Sequence, residues 1–192
     1  MIAAPIALPA GLNAQETGTQ DTADFEVAGN TPVICTLALD SGAEDGLINF
    51  STADRNVYRV DQMLDATTLS TRAASFEVTL DGVCNSAHRI RVESLNNGLW
   101  QVSETPPARP SGFGTAVPYD VTARWTDQVL LLPADAAIRQ PRERSVPINR
   151  PASGGLTLRF EIAAGATNLA ANAPMVAGAY ADTLTIVLEP LQ

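Results

Sequence analysis

The clearest alternation of apolar and polar positions lies at the end of the chain. Over residues 177–189, Tyr180, Leu184, Ile186 and Leu188 share one parity, while Thr183, Thr185 and Glu189 take the other, with Val187 the exception. A period of two sends the two sets to opposite faces of a sheet, so this stretch predicts a strand with one buried and one wet face. Pro190 ends it, because proline has no N–H to give to a ladder. The same alternation predicts strands over 75–84 (Phe76, Val78 and Leu80 against Glu77 and Thr79), 89–95, 117–125 and 156–162, with Trp125 as a core anchor. Val33, Cys35, Leu37 and Leu39 predict an earlier strand, and Ala23, Phe25 and Val27 alternate with Asp24 and Glu26 in a shorter segment. Val129 to Leu132 is a wholly apolar run.

Turn chemistry separates these segments. Residues 40–46 predict an acidic turn. Asn85-Ser86 predicts a turn between two adjacent antiparallel strands, and Asn96-Asn97-Gly98 a tight one. Residues 139–151 carry three Pro and four Arg, which predicts an exposed excursion. No helical period of any length is present. Short strands with turns between them predict an all-β sandwich with Greek-key connections. A long apolar strand near the end of the chain needs a neighbour, since an open edge invites pairing with another chain.

Composition narrows the partners. The chain has 192 residues, 45% of them hydrophobic, enough for one domain with a core. All twelve basic residues are Arg and the net charge is −9, which argues against nucleic acid as a partner. Residues 1–14 are apolar and rich in small residues. They resemble the apolar part and cleavage site of a secretory signal ending at Ala14, although a basic n-region is missing and Pro5 and Pro9 interrupt the run. Residues 15–29 then form an N-terminal extension, and 30–192 the domain.

The chemistry-bearing residues are few. Cys35 and Cys84 are the only cysteines. Two cysteines with a single His make a poor metal site; they are read as a disulfide rather than as two buried thiols. His88 reads as a satisfied surface or edge histidine. Asp40, Glu44 and Asp45 beside Gly42 and Gly46 fit no calcium loop and read as an acidic turn. Arg139, Arg142, Arg144 and Arg150 offer an anion site or, more simply, a solvated loop. No nucleophile–base pair, phosphate loop or cofactor motif is found, so no enzyme, metal or cofactor is expected.

Four stretches together carry a resemblance: Thr31-Pro32-Val33-Ile34-Cys35-Thr36-Leu37, Val83-Cys84-Asn85-Ser86-Ala87, Tyr119-Asp120-Val121-Thr122-Ala123-Arg124-Trp125, and Ala177-Gly178-Ala179-Tyr180-Ala181-Asp182-Thr183-Leu184-Thr185-Ile186. The chain resembles a spore-coat-U-type pilin domain of the chaperone–usher pathway, over about residues 30–99 and 156–189. The resemblance implies an immunoglobulin-like sandwich lacking its final strand. The groove so left is filled by a periplasmic chaperone during export, and then by the N-terminal extension of the next subunit in a fibre assembled at an outer-membrane usher. It further implies donor residues Ala23, Phe25 and Val27, an acceptor strand with Tyr180, Leu184, Ile186 and Leu188, and a place in a cell-surface fimbria serving attachment or biofilm. Two other readings stand beside this. Residues 15–29 would be an ordinary first strand of the same domain. Or the chain would be a secreted, monomeric carbohydrate-binding or adhesive sandwich, using the Arg-rich loop or Trp100 and Trp125 as a platform.

Overall fold

The structure, a computed structural model, describes residues 23, 25–54, 56–102 and 110–191, with the side chains of 39–44 excepted. The leader over 1–14 lies outside them. The chain divides at Thr31/Pro32. In the first unit, residues 23 and 25–31 are exposed and form no strand, so the short strand predicted around Phe25 is not found among the described residues; Asp24 lies outside them. An alternating stretch is a strand only when a ladder satisfies its backbone, and five residues cannot supply that alone.

Among the described residues the second unit holds thirteen strands and no helix. They are β1 (Cys35–Ile48), β2 (Phe50–Asp54), β3 (Val57–Val60), β4 (Ala74–Cys84), β5 (His88–Ser94), β6 (Leu99–Gln101), β7 (Ala116–Val117), β8 (Tyr119–Trp125), β9 (Gln128–Ala134), β10 (Arg142–Ile148), β11 (Ala152–Ile162), β12 (Tyr180–Ala181) and β13 (Leu184–Pro190). A five-stranded sheet runs β1-β4-β11-β8-β9, and a three-stranded sheet runs β10-β5-β13. Two small sheets, β12-β6-β7 and β2-β3, complete the set, and every ladder is antiparallel.

The two larger sheets form a β-sandwich around one core. Phe76, Val78, Leu80, Leu158 and Phe160 enter it from one side, and Ile90, Val92 and Leu188 from the other. Their alternation in sequence is what places them there; a one-residue slip of β4 would turn Phe76, Val78 and Leu80 to solvent. Trp125 bridges the layers. Its indole lies over Gly82, where any Cβ would collide with the ring, and its Nε1–H donates to His88 Nε2 at 3.0 Å.

Five further expectations are corrected. The stretch 40–46 is no turn: β1 continues through it, and a bulge between Ala38 and Ala43 absorbs the irregular residues. β4 and β5 are not paired, because the chain crosses between the layers at 85–87. Asn85 stays with β1 there, accepting from the Ile34 N–H at 2.8 Å and donating to the Pro32 carbonyl at 2.7 Å. The Arg/Pro stretch 139–151 is not an excursion but contains β10, paired with β5 along its length. The closing strand is split at Asp182-Thr183 into β12 and β13, which belong to different sheets. His88 is fully buried, not at the surface.

Candidate functional site

The sandwich is closed on one side and open on the other. Edge strands β9 and β10 pack against each other on the closed side, without a ladder between them, and no groove opens there among the described residues. On the other, edge strands β1 and β13 come within contact distance, but among the described residues no ladder joins them. Between them opens an apolar groove of about 1260 Å³. Its floor is the inner face of the five-stranded sheet, chiefly Phe76, Val78, Leu80, Leu158 and Phe160. Leu37 of β1 lines it, as do Tyr180, Leu184 and Ile186.

Residual exposure shows where the core is uncovered. The five floor residues keep 5–9% of their surface, whereas Val92, Trp125, Leu132 and Leu156 keep 0–1%. Leu184 and Ile186 are only half-buried although they point inward, opposite Ser94 and Val92. Leu188 is buried beneath Gly82 and does not line the groove.

The aromatic end of the floor is tightly arranged. Phe50 meets Phe76 edge-on at 4.9 Å and Phe160 at 5.6 Å, and Tyr119 tilts over Phe160 at 4.4 Å. Tyr58, from the β2–β3 hairpin, stacks on Phe76 at 4.1 Å. The hairpin thus stands as a wall at this end.

The entry to β13 is fixed by Asp182. Its carboxylate accepts from Ser94 Oγ (2.6 Å), Tyr119 Oη (2.6 Å), the Thr183 N–H (2.7 Å), the Asn96 N–H and Nδ2 (2.9 and 3.1 Å) and the Gly98 N–H (3.3 Å). These contacts break the ladder between β12 and β13 and bind the Asn96–Gly98 turn to the start of the edge strand. Gly98 is required there: its φ is +131°, and a Cβ would meet that of Ala136 at 2.7 Å. Burial, and then the bond to Asp182, push the Tyr119 phenol well above its ordinary value. Burial also raises Tyr180, whose hydroxyl donates to the Val176 carbonyl at 2.6 Å.

Cys35 and Cys84 form the disulfide, directly opposite each other in the β1–β4 ladder. It pins the edge strand β1 to the floor strand β4. Phe25 and Val27 are 86% and 95% exposed, and Ala23 is exposed as well.

Other sequence candidates carry different duties. Three of the four clustered arginines are engaged: Arg142 with Asp135 at 3.4 Å, Arg150 with Asp127 at 2.8 Å, and Arg139 with the Asn96 side-chain oxygen at 3.1 Å. Trp125 is core, which removes it from any sugar platform. His88 accepts a hydrogen bond from the indole N–H at Nε2, so Nδ1 carries the ring proton and donates to the Ser86 carbonyl at 2.9 Å. Asp182 and the hairpin wall were missed in sequence. The signal for Asp182 was an acid interrupting the chain's clearest alternation.

No protein-family model matches the chain, and no curated protein matches its sequence.

Proposed function

We propose that this chain is a structural, non-enzymatic subunit of a secreted chaperone–usher-type fibre, in which the groove accepts a strand from the next molecule. The observation that carries this is the uncovered core between two unpaired edges. β13 offers unpaired backbone groups, and the floor offers apolar subsites. Together they are the two components of β-strand addition, in which main-chain bonds give affinity and alternate side chains give specificity.

The dimensions agree with the chain's own extension as occupant. Phe76, Val78 and Leu80 present three inward side chains over about 13 Å, at ~3.3 Å per residue. Ala23, Phe25 and Val27 present three side chains of one parity over the same length. Burying Phe25 and Val27 would contribute roughly 3–6 kcal/mol, at ~1.5–3 kcal/mol each. A donor that leaves one molecule and fills another makes a head-to-tail contact that does not close, so the product is a filament. The reading carries with it export through a periplasm, a chaperone that covers the groove beforehand, and an usher at the outer membrane.

The test compares the full chain with Phe25→Asp and with a deletion of residues 15–29. Both variants should keep the wild-type circular dichroism spectrum and unfold cooperatively, at a melting temperature below that of the assembled wild-type chain, yet remain monomeric on size exclusion while the wild-type chain polymerises. Undiminished polymer from either variant overturns the donor assignment.

A further inference from the structure

The wall at the aromatic end of the groove has a polar rim. In β3 the side chains alternate, with Tyr58 and Val60 half-buried towards the core and Val57 and Arg59 exposed. The Tyr58–Phe76 stack holds the hairpin in place, so the next residue, Arg59, stands on the solvent side of the groove mouth. Among the described residues lining the groove, Arg59 is the only base. Its side chain forms no hydrogen bond or ion pair with the described residues. Asp61, on the same parity, is held instead by the Ser51 hydroxyl at 2.5 Å.

The extension has the opposite character. Residues 15–29 contain Glu16, Asp21, Asp24 and Glu26, and no base. If Ala23, Phe25 and Val27 point down into the groove, alternation sends Asp24 and Glu26 upward to its mouth. An inserted strand therefore brings two carboxylates to the level at which Arg59 waits.

We propose that Arg59 is a specificity-determining residue of the groove, reading a carboxylate on the outward face of the incoming strand, Asp24 or Glu26 of a second copy of this chain. This rests on the acceptor reading given above. Rim charges act mainly on the rate of encounter and on its salt dependence, and they reject strands of the wrong sign. A strand carrying bases at these two positions would fill the same apolar subsites but be repelled at the rim.

The experiment follows assembly of the full chain by light scattering at low and high salt. Arg59→Glu should leave the fold unchanged and slow assembly by about three- to ten-fold at low salt, the effect expected of losing an exposed pair and adding a repulsion. The difference should shrink at about 0.5 M salt, where charges are screened within a few Å. Asp24→Arg with Glu26→Arg should slow the wild-type groove similarly and restore the rate when combined with Arg59→Glu. Equal rates and salt dependence for Arg59→Glu and the wild-type chain, or no restoration by the charge swap, overturn the role of Arg59. Phe25→Asp serves as the control for the parent reading: if it assembles like the wild-type chain, the donor assignment falls and this inference with it.

Discussion

Asp182 shows how one side chain sets the geometry around it. Six donors converge on it, from the 94–98 turn, from β8 and from its own neighbour. Tyr119→Phe removes one of them and should cost about 1–2 kcal/mol at neutral pH by urea unfolding. It should also change the alkaline limb. A tyrosine whose pKa is higher folded than unfolded contributes its full stability below pH ~10 and loses it as pH rises towards the folded value. The wild-type chain should therefore lose stability above pH ~10 more steeply than Tyr119→Phe. Gly82 has a comparable local role. Gly82→Ala forces a methyl group against Trp125 and should destabilise by roughly 1–3 kcal/mol, the cost of overpacking. Trp125 was legible as core from its parity in an alternating strand. His88 was not legible: its polar neighbours suggested surface, and the group that satisfies it in the core lies 37 residues further on.

Among elements, the alternating strands β4, β5, β8 and β11 were legible because each buries one face, which a period of two records directly. Pairing was not. The 85–87 connection is short enough for a hairpin, yet Asn85 is committed to β1 and sends the chain to the other layer. β10 was misread because Pro and Arg are loop residues by composition. At a sheet edge they have another use. Arg142 and Arg144 lie opposite the buried Ser94 and Val92, so charged side chains sit at inward positions along the outer strand, and Pro147 removes an N–H. Inward charges and proline are means of keeping an edge from recruiting another chain. Replacing Arg144 with Val and Pro147 with Thr in the Phe25→Asp chain should yield irregular aggregates on size exclusion, where Phe25→Asp alone stays monomeric. The disulfide belongs to this scale too. It closes a sequence separation of 49, and Cys35→Ser with Cys84→Ser should cost about 2–5 kcal/mol, measurable as a shift in urea midpoint that a reductant reproduces in the wild-type chain.

For the whole molecule, the difference between its two sides matters most. β9 and β10 meet on one side, while β1 and β13 leave the core uncovered on the other. Tyr180, Leu184 and Ile186 line the groove, and the alternation that turns them to one face was legible in the sequence. The floor was not, because Phe76, Val78 and Leu80 look the same in sequence whether a strand covers them or not. Only the placement of all the strands shows that a groove opens over them.

The guarded margin at Arg142, Arg144 and Pro147 has a consequence for material form. In the proposed assembly each molecule owns one vacancy and one tail, which makes it a bifunctional monomer in the polymer chemist's sense. Such units lengthen without branching, so concentrated solutions should entangle and thicken but never set into a cross-linked gel.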